Sequence, residues 1–260
     1  MVTSKDGTRI AFWRSGAGPP LLLIHGGTAD HTTTWRFVRK EFERRFTVYA
    51  MDRRGRGGSG DSPEYDLLRE AEDVAAVVDS IGGPANVLGH SYGALCAIEA
   101  SLLTPNVRRL ILYEGVPLDG AALYRPGTAD RVEALLRQGD VEGMLVAMYS
   151  ELVEMPREEI ELMRSQSEAW RRRIANAPSM PRELRCERDY VFKPERFADM
   201  RVPTLLLVGG DSPPRELHNA RGVARALTDA TVVRLPKQQH VAMYTAPEAF
   251  VREVVLFLEG

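Results

Sequence analysis

The chain has 260 residues, 44% hydrophobic and 27% charged, which is typical of a soluble globular protein with one large core. Its formal net charge of −2 gives no electrostatic reason to bind nucleic acid or an anionic membrane, so a small molecule is the expected partner. No apolar run approaches the roughly 20 residues that span a bilayer, and segment 1–10 is too polar for a secretion signal. These features predict a cytoplasmic protein with its two cysteines reduced, and they leave the oligomeric state open.

Short apolar runs alternate with longer amphipathic stretches, the pattern of an α/β protein in which crossover helices join parallel strands. The N-terminal Thr8–Trp13 alternates polar and apolar residues, which predicts an antiparallel strand at the sheet edge. Buried strands are predicted at Leu21–Ile24, Thr47–Met51, Asn86–Leu88, Arg109–Tyr113, Thr204–Val208 and Ala230–Leu235. Helices are predicted at about Trp35–Arg45, Tyr65–Ile81, Ala94–Leu103, Pro214–Leu227 and Pro247–Leu258.

The alternation stops between residues 116 and 200, where amphipathic helices follow one another without a strand. We therefore expect a core of residues 1–115 and 201–260 with an inserted helical cap at residues 116–200. One cap helix is predicted from Pro156 to Asn176, and the run Arg171–Arg173 within it is expected on a solvated face. Six of the nine methionines fall in the insertion, which suits either ordinary helix packing or an adaptable roof over a pocket.

The segment Gly89–Gly93 reads Gly-His-Ser-Tyr-Gly and fits the pattern G-x-S-x-G between a predicted strand and a predicted helix. A turn tight enough to push Ser91 into a strained conformation tolerates only small residues two positions to either side. The helix that follows aims its N-terminal N–H groups at the place where an oxyanion would form. The pattern therefore predicts Ser91 as an exposed nucleophile.

A second glycine-rich element, His25-Gly26-Gly27-Thr28, follows the first long apolar strand. Glycines let backbone N–H groups approach a ligand closely, so Gly26 is assigned to substrate binding. The N–H groups of Gly27 and Tyr92 are predicted to form an oxyanion hole, while His25 is expected to buttress the loop.

Other site types find little support in the sequence. The segment Gly55–Gly60 satisfies G-x-G-x-x-G, but Asp61-Ser62-Pro63 prolongs the loop where a dinucleotide site would begin a helix. Arg53, Arg54 and Arg56 are expected to serve mainly as structural donors. Motifs for nucleoside triphosphates, zinc proteases and thioredoxin-like redox chemistry are missing from the sequence, and no cofactor or metal is predicted.

Taken together, these motifs resemble the α/β-hydrolase fold superfamily over nearly the whole chain. The resemblance covers the His-Gly-Gly loop, the loop Asp52–Ser59 with its D-x-R-G-x-G-x-S pattern, the serine turn and the helical cap. It implies a mostly parallel sheet flanked by helices, and a catalytic triad in the chain order Ser, acid, His.

The resemblance places the acid after the strand that follows the cap and the histidine after the last strand. Asp211 and His240 occupy those positions, and residues outside the carboxyl ends of parallel strands can converge although far apart in sequence. Glu114 also ends a strand, Arg109–Tyr113, and is the alternative acid. The other histidines, His31, His90 and His218, are expected to be structural or solvent-facing.

The predicted function is hydrolysis of a carboxylic ester or lactone of a small, largely apolar molecule through a covalent acyl-enzyme. The same fold and triad also suit C–C bond hydrolysis, peptide-bond cleavage or cofactor-free perhydrolysis. A small-molecule receptor without turnover is a further alternative, which an intact triad argues against.

Overall fold

The computed structural model describes residues 1–123 and 127–260. Its strands are β1 Val2–Thr3, β2 Arg9–Ile10, β3 Phe12–Gly16, β4 Pro20–Ile24, β5 Thr47–Met51, β6 Ala85–His90, β7 Val107–Tyr113, β8 Thr204–Gly209 and β9 Ala230–Leu235. Its α-helices are α1 Arg39–Glu43, α2 Leu67–Ser80, α3 Tyr92–Ala100, α4 Thr128–Arg137, α5 Val141–Ala147, α6 Arg157–Ser165, α7 Ser167–Asn176, α8 Met180–Arg188, α9 Pro214–Ala226, α10 Ala242–Thr245 and α11 Pro247–Glu259.

Seven strands form one sheet in the order β3-β5-β4-β6-β7-β8-β9. β3 pairs antiparallel with β5 at one edge, and the other neighbouring strands pair in parallel. The predicted edge segment Thr8–Trp13 is divided, because β2 pairs with β1 in a separate ribbon and the sheet edge begins at Phe12. The predicted α/β class with a mostly parallel sheet is confirmed.

Helices cover both faces of the sheet because successive side chains of each strand point to opposite sides. In β4, Leu21 and Leu23 join one apolar cluster, with α1 and α11, while Leu22 and Ile24 join the other, with α2, α3 and α9. All four side chains are fully buried. This double burial explains why the central strands are continuous apolar runs in the sequence.

Helices α4 to α8 lie between β7 and β8, within the segment predicted as a cap. The predicted single helix Pro156–Asn176 is instead two helices, α6 and α7, because Gln166 leaves the helical region with φ −83° and ψ 68°. Buried side chains from both helices, including Met163 and Trp170, join the cluster that contains α1 and α11.

The two ends of the inserted segment meet beside the core. Asp119 and Val191 form an antiparallel bridge, and the hydroxyl of Tyr190 donates to Glu99 on α3 at 2.9 Å. In residues 1–123 and 127–260, the structure contains no helix with the length and apolarity required to cross a membrane.

Candidate active site

Ser91 lies at the turn between β6 and α3 with φ 55° and ψ −132°. A positive φ at a residue with a side chain costs on the order of 1–3 kcal/mol, so the surrounding structure must impose it. A Cβ at Gly89 would lie 2.5 Å from the carbonyl oxygen of Gly93, and one at Gly93 would lie 2.4 Å from that of His25. The turn therefore closes only with glycine at both positions, and the predicted strand, turn and helix around Ser91 are present.

The glycine loop after β4 is held from behind by His25. The backbone N–H of Arg53 donates to Nε2 of His25 at 3.1 Å, so Nδ1 carries the proton and donates to the carbonyl of Gly26 at 2.8 Å. Because the C=O and N–H of a trans peptide point in opposite directions, this bond turns the N–H of Gly27 away from His25. Burial, together with the nearby arginines, holds the pKa of His25 well below its usual value, so the ring is neutral and acts as a buttress.

A second N–H group is oriented by the first turn of α3. The carbonyl of Ser91 accepts a hydrogen bond from the N–H of Ala94 at 2.7 Å, which directs the N–H of Tyr92 the opposite way, outward from the helix N-terminus. Gly27 and Tyr92 line the same cavity as Ser91. The predicted oxyanion hole thus combines two N–H groups whose residues line the cavity together with Ser91.

His240 is paired with Glu114. Its Nδ1 lies 2.6 Å from Oε2 of Glu114, and the other carboxylate oxygen accepts from the N–H of Gly209 at 2.9 Å and from the hydroxyl of Ser212 at 2.6 Å. Glu114 itself is buried, with φ 48°. Burial alone would lower the pKa of His240, but the hydrogen bond and the charge of Glu114 outweigh it, so the pKa is raised above 6.5.

The loop that carries His240 is fixed on both sides. The hydroxyl of Tyr113 donates to the carbonyl of Gln239 and accepts from the N–H of Ala242 at 3.1 Å. The carbonyl of His240 lies 2.8 Å from Nε2 of His90. Burial keeps the pKa of His90 well below its usual value, so a neutral ring donates this bond and supports the loop.

The predicted pairing of Asp211 with His240 is wrong. Asp211 follows β8 as expected, but its side chain is exposed, and its backbone N–H donates to the carbonyl of Gln238 at 2.9 Å. The carboxylate against His240 belongs to Glu114, one strand nearer to Ser91 in the sheet. Ser91 and His240 face one cavity as predicted, although among the described residues no hydrogen bond joins the serine hydroxyl to the ring.

A cavity of about 980 Å³, including its open mouth, lies between the core and the inserted helices. The core contributes Gly26, Gly27, Ser91, Tyr92 and His240. The cap contributes mainly apolar side chains together with several charged ones: Leu123, Met148, Tyr149, Leu152, Val153, Met163, Arg173, Met180, Glu183, Leu184 and Glu187. Three of the cap methionines form part of this wall, while Met144 and Met155 are buried in packing, so the methionines serve both expected purposes.

The arginines of the loop after β5 are buried and paired, as expected for structural donors. Arg53 binds Glu70 with an Nη2–Oε1 distance of 2.6 Å, and Arg54 binds Asp73 with an Nε–Oδ2 distance of 2.7 Å. Arg56 pairs with Glu183 of the cap helix α8. This network ties the cap to the core at one end of the cavity.

The remaining histidines take no part in this arrangement of Ser91, His240 and Glu114. His31 binds Asp52 at 2.9 Å and stacks on Trp13, and His218 is exposed on α9. Arg173, in contrast, departs from the prediction, because Arg171 and Arg172 are exposed whereas Arg173 is buried and lines the cavity. Its position one turn beyond the buried Trp170 on the same face of α7 was the available sequence signal.

The comparisons with known proteins agree with this geometry. A model described as the alpha/beta hydrolase family matches residues 21–253. The chain belongs to this family. A crystal structure of an alpha/beta hydrolase from Sphaerobacter thermophilus superimposes with a TM-score of 0.85 at 34% identity, covering 99% of both chains.

Two curated relatives are hydrolases in name. The (E)-2-((N-methylformamido)methylene)succinate hydrolase of Acinetobacter baylyi is 26% identical over 95% of this chain and 93% of its own length. The 2-hydroxy-6-oxo-6-(2'-aminophenyl)hexa-2,4-dienoic acid hydrolase of Metapseudomonas resinovorans is 23% identical over 97% of this chain and 88% of its own length. Together with the family match, these relatives establish this chain as a hydrolase.

Proposed function

We propose that the protein hydrolyses a carboxylic ester or lactone of a small molecule through an acyl-enzyme on Ser91. The observation that carries the proposal is the pair formed by His240 and Glu114, which faces the same cavity as Ser91 and its strained turn. A serine hydroxyl is a weak nucleophile at its free pKa and needs an oriented base of this kind.

In the acylation step, Ser91 Oγ bonds to the acyl carbon and its proton moves to Nε2 of His240. The carbonyl oxygen becomes an oxyanion held by the N–H groups of Gly27 and Tyr92, and one such donor is typically worth about 10²–10³-fold in kcat. The bond to the leaving oxygen then breaks, and that oxygen takes the proton from His240. Glu114 holds Nδ1–H and stabilises the imidazolium between the two transfers.

Deacylation repeats these roles with water. His240 removes a proton from a water molecule that attacks the acyl carbon, and the Ser91–acyl bond breaks as the proton returns to Ser91 Oγ. The free acid leaves, and no atom of the enzyme is consumed. The mainly apolar cap wall lowers the dielectric constant around the acyl carbon, which strengthens the electrostatic interactions there.

The decisive experiment is labelling by a fluorophosphonate together with turnover of short p-nitrophenyl esters. We expect a label that maps to Ser91, and a Ser91→Ala variant that loses both labelling and at least about 10⁴-fold in kcat. A thermal melt of both proteins checks that each is folded. Folded wild type that neither labels nor turns over any ester refutes the proposal, and ligand-induced stabilisation of Ser91→Ala without turnover by wild type would favour a receptor instead.

A second candidate function is hydrolysis of a C–C bond next to a ketone. The relative from Metapseudomonas resinovorans favours it, because the compound in its name is a keto acid without an ester. The same serine, base and oxyanion donors suit both reactions. A panel of matched esters, lactones, amides and vinylogous diketones separates them: a kcat/KM for the diketones above that for every ester selects the C–C reaction.

A further inference from the structure

Arg173 is buried in the wall of the cavity that contains Ser91. The residue is 5% exposed, and it comes from α7 of the cap. Its guanidinium donates to the hydroxyls of Tyr149 at 3.1 Å, Thr28 at 3.4 Å and Tyr244 at 3.4 Å. All three partners are neutral groups.

The described part of the chain places no carboxylate within 4 Å of Arg173. The buried arginines Arg53 and Arg54 each have a carboxylate partner, and the other described arginine of the cavity wall, Arg215, binds Glu154 at 2.7 Å. A guanidinium stays charged at any physiological pH, and a buried charge without a counter-ion is costly. Among the described residues, the Arg173 guanidinium therefore has no negatively charged partner in the cavity.

The hydroxyls around Arg173 are arranged for a ligand with acceptor oxygens. The hydroxyls of Thr28 and Tyr149 lie 2.7 Å apart, and Tyr149 lines the cavity, so an anion that reaches Arg173 also meets the Tyr149 hydroxyl. Tyr244 instead donates to the carbonyl of Thr33 at 2.6 Å, which fixes its oxygen as an acceptor for Arg173. The position combines a planar fork of donors with an adjacent hydroxyl, which matches the two oxygens of a carboxylate.

The site lies close to the reacting atoms. Thr28 directly follows Gly27, whose N–H is the proposed oxyanion donor, and the Arg173 guanidinium reaches the Thr28 hydroxyl. A carboxylate at Arg173 and an acyl carbon at Ser91 would therefore lie in the same cavity, as two groups of one bound small molecule. Two acidic residues of the described wall are engaged with other arginines: Glu183 is paired with Arg56, and Glu216 lies 3.4 Å from Arg215.

We infer that Arg173, with Tyr149, binds a carboxylate of the substrate, so that the protein prefers half-esters of short dicarboxylic acids over neutral esters of the same size. The preference for half-esters rests on the proposed ester hydrolysis, whereas the binding of a carboxylate by Arg173 does not. It narrows the small, apolar substrate expected from the sequence to an anionic one.

The first test is kinetic and uses monoethyl succinate and its neutral isostere ethyl succinamate. We expect wild type to favour the half-ester in kcat/KM, and Arg173→Gln to reduce that preference by about 100-fold, as is typical when a buried charge pair loses one partner. Arg173→Lys should restore part of the preference, because an ammonium keeps the charge but not the planar fork. Arg171→Gln, an exposed arginine two residues away on α7, is the matched control and should leave the preference unchanged.

The second test is binding without turnover. Ser91→Ala is titrated by calorimetry with succinate, glutarate and adipate, and with the corresponding diamides. We expect at least one diacid to bind at least tenfold more tightly than its diamide, and the further change Arg173→Gln to abolish this difference.

The outcomes separate the two proposals. Equal binding of diacids and diamides, or a wild-type preference for the neutral ester, overturns the inference while ester turnover still supports the hydrolase. Diacid binding without any labelling or turnover leaves the carboxylate site standing and refutes the ester hydrolase. If Arg173→Gln does not fold by circular dichroism, the diacid and diamide titrations of Ser91→Ala still decide.

Discussion

The carboxyl ends of β7 and β8 lie side by side in the sheet, and each is followed closely by an acidic residue, yet the two acids have different surroundings. Glu114 is buried, accepts three hydrogen bonds and reaches His240. Asp211 is exposed, and its loop contributes the Ser212 hydroxyl to Glu114 rather than a carboxylate to the histidine. The loop after β8 thus supports the acid at the end of β7. A position directly after a strand is therefore not sufficient to identify the acid that pairs with His240.

The largest expected effect comes from Glu114→Gln. Both carboxylate oxygens of Glu114 accept hydrogen bonds in the wild-type protein. The side-chain NH₂ group of the glutamine would therefore face a donor, either the N–H of Gly209 or Nδ1–H of His240. We expect kcat for a p-nitrophenyl ester to fall by about 10³–10⁴-fold, the loss typical of a neutralised triad acid. Steady-state kinetics on folded protein checks it, and a loss below tenfold would contradict the role given to Glu114.

Asp211→Asn is the matched control for that substitution. It removes the same charge at the end of the neighbouring strand from an exposed side chain. We expect kcat to change by less than about threefold, since exposed substitutions away from specific contacts have small effects. A large loss here, with Glu114→Gln near normal, would reverse the comparison between the two strand ends.

A second effect of Glu114→Gln is on pH dependence. His240 must be neutral to take the proton of Ser91, so kcat/KM falls as the pH drops through the pKa of His240. Glu114, with a smaller contribution from Glu216, raises that pKa above 6.5 against the lowering effect of burial. With Glu114 neutral, burial dominates, and the acid limb of the profile moves to lower pH.

The rate of fluorophosphonate labelling between pH 5 and 9 measures this limb even when turnover is slow. Glu216, whose own pKa burial raises to about 7, is the group to control for, and Glu216→Gln should shift the limb in the same direction by less. An acid limb that stays in place in Glu114→Gln would show that another group sets it.

Ser212→Ala is expected to have a smaller effect on kcat than Glu114→Gln. This change removes the hydroxyl that donates to Glu114 at 2.6 Å but leaves the N–H of Gly209 on the same oxygen. A hydrogen bond to a charged group is worth about 1.5–3 kcal/mol, so we expect kcat to fall by about tenfold. The effect should vanish in the Glu114→Gln background, and kinetics of the double variant tests whether the two residues act together.

Local pattern was sufficient for most of the sheet and for Ser91. The strands β5 and β9 have the predicted ends. For β5 this follows from burial on both faces, which makes the strand a continuous apolar run. The turn at Ser91 could be predicted because Gly89 and Gly93, the two glycines that its geometry requires, lie within five consecutive residues. His240 was placed by its position after the last strand.

Tertiary structure determines which acid pairs with His240 and how the cap helices pack on the core. Glu114 is directed toward His240 by its positive φ and by the close packing of Gly115, where a Cβ would lie 2.3 Å from the backbone of Ser91. Glu-Gly directly after a strand was a weak signal of this in the sequence. The break at Gln166 and the burial of Arg173 depend on where the cap meets the core.

The sequence by itself determined the α/β sheet, the strained serine and the order in which the parts of the site follow along the chain, because each depends on residues close together in sequence. Only the tertiary structure decided which carboxylate pairs with His240 and which arginine faces the cavity. Those choices depend on the lateral spacing of strand ends and on the seating of a helical cap, and both are set by packing between segments far apart in the chain.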